Sequence, residues 1–233
     1  MEAFTITPVA RIYTDFPEKF ALPRQSGMIE ELTGTIVFEP EYARPEAVKG
    51  LESYSHIWVL WLFSENVREK PKLTVRPPAL GGNTRVGVFA TRSPFRPNNI
   101  GLSCLKMERI EFSPDRGPVL HVSGIDMKDG TPILDIKPYI PMWDVKPAAS
   151  EGMIADSGKL KLTLVSNEAF DAEIKKLPGE KRTALLHLLE NDPRPAYQHD
   201  PDRIYGFTFA GYEIRFRVKD DRIFPLTIEQ AAP

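Results

Sequence analysis

A single cysteine, Cys104, in a chain of 233 residues excludes an internal disulfide. Histidine is also scarce: His56, His121, His187 and His199 are scattered, with no ligand pair at zinc spacing, so no metal is expected. The longest apolar run, IWVLWLF at 57–63, is far too short to cross a bilayer. The opening MEAFTITPVARIYTDF is acidic and polar where a signal peptide is basic and then apolar, and a cytoplasmic protein without membrane association is expected. Four motifs are missing as well: the G-x-x-x-x-G-K-[ST] phosphate loop, a G-x-G-x-x-G after a strand, the G-x-S-x-G elbow and H-E-x-x-H. Their absence removes the commonest nucleotide-binding, hydrolase and zinc-protease readings.

Acidic residues are missing from one long window. Between Glu69 and Glu108 there is none, while Lys70, Lys72, Arg76, Arg85, Arg92, Arg96 and Lys106 give +7 in a chain whose net charge is −2. Such a run is either a solvated face or a surface for polyanions. Arginine, whose planar fork suits phosphate and carboxylate, is concentrated around TRSPFRPNNIG at 91–101, a loop also stiffened by two prolines.

What is present is mostly strand. GTIVF (34–38), SHIWVLWLF (55–63), RVGVFA (85–90), VLHVSGI (119–125) and ILDIKPYI (133–140) are β-branched or aromatic runs bounded by Gly, Pro and Asn. One short helix is expected among them, over RPEAVKGLESY at 44–54. This pattern predicts a barrel or a sandwich. The run 57–63 reads as a strand buried on both faces or as a helix segment. His56 and His121 are read as core histidines and Cys104 as a small buried hydrophobe. Residues 146–158 lose periodicity and read as a linker between an N-terminal domain (1–145) and a small α+β domain (159–233). The latter is expected to hold a strand KLKLTLV, a helix capped by Ser166, a Leu-rich helix over 180–192, a hairpin turning at Ala210 and Gly211, and a strand over 222–228.

Four polar segments carry residue types that structure alone does not require. ALPRQSG (21–27) presents Arg24 and Gln25 beside Pro23, and the arginine loop offers Arg92, Arg96 and Asn98. In IDMKDGTPILDIKPY (125–139), Asp135, Lys137 and Tyr139 alternate and so share one face, as a site or as a surface ion pair beside a phenol. NDPRPAYQHD (191–200) holds Arg194 between Pro193 and Pro195, past a helix end.

FALPRQSG, VKGLESYSHIWVL, TVRPPALGGNTRVGVFATRSPFRPNNIGLS, DGTPILDIKPY and DPRPAYQ, in that order, closely resemble the TsaA-like family and, within it, the bacterial TrmO tRNA methyltransferases. The resemblance runs from about residue 4 to the end. It implies a mainly β protein, with a single-sheet β-barrel that binds S-adenosylmethionine without a Rossmann fold, a small C-terminal α+β domain and a homodimer. It also implies methylation of N6 of threonylcarbamoyladenosine at position 37, beside the anticodon of threonine tRNA. Donor-binding segments of the family fall on Pro23, Arg24, Gln25, Arg92, Leu102, Ile125, Asp126, Met127 and Lys128. A further one, usually His-Gln, falls on Ser64 and Glu65, where this chain departs from the pattern.

The implied reaction needs alignment and a place for the N6 proton, not a covalent nucleophile. Arg24 and Arg92 are suited to carboxylates. Asp135 is the expected proton acceptor, with Lys137 setting its charge and Tyr139 hydrogen-bonding or stacking, Asp129 being the other candidate acid of that segment. Arg96, Asn98, Arg194 and Tyr197 are expected to meet the tRNA, together with the basic window. Two other classes share these features: a non-catalytic nucleotide- or anion-binding module, and a small-molecule N-methyltransferase.

Overall fold

The computed structural model describes residues 4–66, 72–77, 80, 84–154, 161–194, 198 and 200–231. Its strands, in chain order, begin with β1 (Ala10–Thr14), β2 (Thr33–Phe38), β3 (His56–Leu62), the two-residue β4 (Thr74–Val75) and β5 (Val86–Gly87), β6 (Ile100–Ser113), β7 (Gly117–Ser123) and β8 (Thr131–Pro138). Six of them close a barrel in the order β1-β2-β7-β6-β3-β8, every neighbouring pair antiparallel. Closure leaves no free edge. Alternation sorts the strand residues: in β3, Ile57, Val59 and Trp61 are buried while Trp58, Leu60 and Leu62 are half-covered on the outer wall. The run 57–63 is therefore a strand with one face inside, not a segment buried on both faces.

Four expectations differ from the structure. RVGVFA pairs over two residues only, because its partner β4 is equally short, and then tightens into a 3-10 turn at Val88–Ala90 closed by the Thr91 hydroxyl on the Val88 carbonyl. The helix expected over 44–54 is α1 (Pro45–Val48), cut off by Gly50 at φ 89° and followed by a 3-10 turn at Leu51–Ser53. His56 and His121 lie on the outer wall rather than in the core. His56 shares a proton with the Ser55 hydroxyl at 2.9 Å, and His121 meets Glu111 at 2.9 Å. Cys104 is only half-buried, though burial, helped by Asp144, pushes its thiol pKa up.

Three connections leave one end of the barrel, while 39–55, with α1, crosses the other. Thr14 pairs Gly34, Thr33 pairs Ser123, Leu62 pairs Ile100 and Ile12 pairs Thr131, so segments 15–32, 63–99 and 124–130 converge on the same mouth.

After α2 (Pro141–Asp144), the chain builds β9 (Thr163–Leu164), α3 (Glu168–Ile174), α4 (Gly179–Glu190), β10 (Tyr205–Phe209), β11 (Tyr212–Lys219) and β12 (Arg222–Gln230). The four strands form a sheet in the order β10-β11-β12-β9, with β9 parallel to β12. Both tight hairpins use left-handed pairs, Ala210 (φ 52°) with Gly211 (φ 79°), and Asp220 (φ 50°) with Asp221 (φ 56°), the geometry whose twist matches paired strands. The cap of α3 is Asn167, which accepts from the Phe170 amide at 2.9 Å, while Ser166 donates to Asp171 instead. One apolar cluster runs through the barrel and this sheet. The segment 15–32 is the seam: Phe16 packs on Phe209 with ring centroids 5.1 Å apart, Glu18 accepts from the Thr208 amide, Asp15 pairs with Lys181 and Glu31 with His187. No helix among the described residues is long and apolar enough to cross a membrane.

Candidate functional site

The barrel mouth holds a cavity of about 910 Å³, walled by the three converging connections and the adjacent strand ends. That is the upper range for a small-molecule site. Among the described residues, five cationic side chains (Lys19, Arg24, Arg92, Arg96, Lys128) and three acidic ones (Glu65, Asp126, Asp129) line it, so this wall favours anionic groups.

The Pro-Arg-Gln loop is pinned from three sides. Gly27 donates its amide to the Gly124 carbonyl at 2.8 Å, Ser26 Oγ accepts from the Cys104 amide at 3.0 Å, and the Arg92 guanidinium donates to Gln25 Oε1. Pro23 and the pinned Gln25 leave Arg24 exposed at the cavity, and its guanidinium has no hydrogen-bond or ion-pair partner among the described residues. The arginine loop folds on itself: Asn99 Nδ2 donates to the Pro94 carbonyl at 2.6 Å, and Arg96 to the Thr91 carbonyl at 2.9 Å. Arg96 thus braces the loop as well as facing the cavity, and Asn98 is exposed beside it.

Ser64 and Glu65 occupy the turn after β3. Glu65 accepts from Lys128 and from Lys19, the latter at 3.1 Å, and these bonds hold its carboxyl below the usual range. A glutamate at this departure from the family pattern therefore ties three walls of the cavity together.

Deepest in the mouth lies a directed chain of donors. Trp61 Nε1 donates to Ser103 Oγ at 2.9 Å, and Ser103 donates to Asp126 Oδ1 at 2.6 Å. Ser103 is fully buried, and Gly101 makes room for the indole, since a Cβ there would meet the Trp61 ring at 2.3 Å. Burial is the largest influence on Asp126 and raises its pKa from 3.8 to about 6, against the opposing hydrogen bonds from Ser103 and backbone and the nearby Arg92 charge. Asp129 is used differently: its Oδ1 accepts from the Thr14 amide at 2.9 Å.

Of the residues expected from sequence, Pro23, Arg24, Gln25, Ser64, Glu65, Arg92, Arg96, Asn98, Leu102, Asp126 and Lys128 all line this cavity. Ile125 and Met127 do not: alternation turns their side chains into the barrel core, where they are 1% and 0% exposed. Asp135, Lys137 and Tyr139 share a face, but it is the outer wall. Asp135 pairs with Lys137 at 2.7 Å, and Tyr139 packs against Trp58 and His56. Leu60 stands opposite Leu102 on one side and Asp135 on the other, so Asp135 lies two strands, roughly 10 Å, from the cavity edge at Leu102. Arg194 lines a second, smaller cavity, where it grips Asp192 through two hydrogen bonds of 2.8 and 2.9 Å. Tyr197 lies outside the described residues. Trp61, Ser103 and Lys19 were not legible as site residues. The one sequence sign was a serine at an inward position of an otherwise apolar strand. Among the described residues no cluster of three or more His, Cys, Asp or Glu side chains is placed to hold a metal ion.

The donor set fits S-adenosylmethionine. Partnerless Arg24 suits its carboxylate, and the half-exposed apolar side chain of Leu102 suits a ring face. Comparison with known proteins agrees. The tRNA-methyltransferase O N-terminal domain model matches residues 11–145, and the TrmO C-terminal domain model matches 161–231. The tRNA (adenine(37)-N6)-methyltransferase of Escherichia coli is 37% identical over 94% of this chain and 95% of its own length. A Pseudomonas aeruginosa protein named for S-adenosylmethionine-dependent methyl transfer is 42% identical over 87% of each chain. The crystal structure of TrmO from Pseudomonas aeruginosa superposes with a TM-score of 0.80 at 31% identity, covering 99% of both chains. With both of its halves matched and its length spanned, the chain belongs to the tRNA-methyltransferase O family of S-adenosylmethionine-dependent methyltransferases.

Proposed function

We propose that this enzyme transfers a methyl group to N6 of the adenosine at tRNA position 37, that this adenosine carries a threonylcarbamoyl group, and that threonine tRNA is the substrate. The observation that carries the reading is the mouth cavity, which is roomy, net positive, and has a part-buried carboxyl, Asp126, with an uncommitted arginine at its rim. The bound donor supplies an electrophilic methyl on a sulfonium. Arg24 and Arg92 hold carboxylates, of the donor or of the threonyl group. Arg92 also keeps Gln25 in place.

The proton released from N6 goes to Asp126 rather than to Asp135. Asp135 is neutralised by Lys137 on the outer wall, whereas Asp126 lies in the cavity with Oδ1 engaged by Ser103 and its pKa raised toward neutrality. Lys72, Arg76, Arg85 and Arg92 are exposed in the segment 63–99 that walls the cavity, a surface for the phosphates of the anticodon stem-loop. The exposed apolar side chains of Leu102 (51% exposed), Phe89 (75%), Met142 (83%) and Trp143 (65%) support a homodimer, working in the cytoplasm.

The test is methyl transfer from labelled S-adenosylmethionine to tRNA bearing threonylcarbamoyladenosine, read by mass spectrometry of the digested nucleosides. Label on that nucleoside, lost in Arg24→Ala, is expected. Label on unmodified A37 instead would remove the threonylcarbamoyl requirement. Sedimentation of Trp143→Glu, expected to be monomeric, tests the dimer.

A further inference from the structure

The second cavity encloses about 230 Å³ between the segment 15–32 and the C-terminal end of α4. It lies beside the mouth cavity, and Lys19, Leu22, Pro23 and Arg24 wall both. We propose that it receives the nucleobase flanking the target adenosine, an inference that rests on the tRNA reading above.

An adenine inside an anticodon loop is stacked on its neighbours. Bringing its N6 to a carboxyl at the floor of a barrel mouth takes it out of that stack and strips a flanking base of a partner. The enzyme recovers the loss where it offers that base a second wall. Single-stranded bases are received on aromatic faces and guanidinium planes, with polar groups at their edges. The smaller cavity has these parts. Phe20 and Met28 give it an apolar wall, Met28 being 40% exposed. The partnerless Arg24 stands on the boundary with the main cavity, and Asn191 and Arg194 supply polar groups on the α4 side. Its volume lies below the range of pockets for drug-sized ligands, which starts at about 300 Å³, and suits one ring system.

Two features show this wall to be built rather than left over. Ala21, 6% exposed and lining the cavity, is held at φ 66°, a left-handed conformation unfavourable for a residue with a Cβ. Opposite it, Asp192 at φ 50° ends α4 and fixes the Arg194 guanidinium through both carboxylate oxygens, which raises the pKa of Arg194 further. Arg194 thereby presents a planar surface instead of a swinging cation. Its place between two prolines also gains a purpose beyond stopping the helix.

The test is a cycle of protein and RNA substitutions with the full-length enzyme. Anticodon stem-loops carrying threonylcarbamoyladenosine at 37 are made intact, abasic at 36 and abasic at 38. Affinity is read by fluorescence anisotropy and single-turnover methylation by mass spectrometry. Phe20→Ala is expected to weaken binding of the intact loop by about 10- to 100-fold and to have no further effect on the loop abasic at the flank that the cavity holds. Met28→Ala, at a more exposed position, repeats the cycle without risk to the core. Donor affinity by calorimetry should stay unchanged in both. Equal losses on intact and on both abasic loops would overturn the proposal, as would a loss of donor affinity, which assigns the cavity to the donor. Because anisotropy needs no turnover, a wild type that binds the loop but does not methylate it sinks the functional reading while the cycle still reads the cavity. A wild type that does not bind the loop sinks both.

Discussion

Asp126 shows how one side chain ties stability to chemistry. Its carboxyl holds a proton more tightly folded, with a pKa of about 6, than unfolded at 3.8. The folded state therefore gains least from Asp126 when it is charged, and stability falls as pH rises from about 4 through 6. Asp126→Asn is expected to be more stable than wild type at pH 8 by up to about 3 kcal/mol, with the advantage gone below pH 4, measured by urea unfolding at both pH values. The same variant should lose at least about 100-fold in methyl transfer at saturating substrate. The wild-type rate should rise through pH 6 to a plateau that the variant lacks. An unchanged rate in Asp126→Asn would return the proton to another group. At this scale the sequence named Asp126 within a donor-binding segment, but its role depends on burial. Asp129, three residues away, is spent on the Thr14 amide, and nothing in the local sequence separates the two carboxylates.

At the scale of elements, the register of β3 against β6 sets the floor of the site. Trp61 stands opposite Gly101, and the missing side chain lets the indole reach Ser103. Gly101→Ala should displace the ring, cost about 1–3 kcal/mol and weaken donor binding, with a shift in tryptophan emission as the direct readout. Asn167→Ala should cost about 1 kcal/mol in urea unfolding by uncapping α3, whereas Ser166→Ala should cost less, although sequence favours serine as the cap. Serine and asparagine both cap well, so which of two neighbours takes the position is decided by where the chain enters the helix. Here Asn167 also donates from Nδ2 to the Pro225 carbonyl at 2.9 Å, a contact 58 residues away that fixes the choice. Strands with strong alternation, such as β11, were legible, whereas β3, a continuous apolar run, left strand and helix open and hid which face is buried. β1 was not, being five residues of ARIYT, and most of the 14-residue β6 was not, because its last half alternates on a surface where Phe112 is 60% exposed.

At the scale of the whole molecule, a net charge of −2 hides a polarised surface. Exposed Lys72, Arg76, Arg85 and Arg92 lie in the acid-free window, and tRNA affinity should fall linearly with salt on a double-logarithmic plot. Arg76→Ala and Arg85→Ala should each lower the slope by about 0.7 if each meets one single-strand phosphate. A Kd that stays flat from low to physiological salt would remove the tRNA surface from this face. The sequence by itself determined the class of structure, the absence of a Rossmann donor site and the segments that carry the site, since alternation, prolines and ordered motifs are local properties of the chain. Only the tertiary structure decided which residues meet. Barrel closure brought segments 15–32, 63–99 and 124–130 to one mouth and left Asp135, in spite of its neighbours Lys137 and Tyr139, on the outer wall. Packing of α4 against the segment 15–32 then placed Arg194 beside Phe20 and Arg24. Those juxtapositions join residues up to 174 positions apart, a relation that no local pattern records.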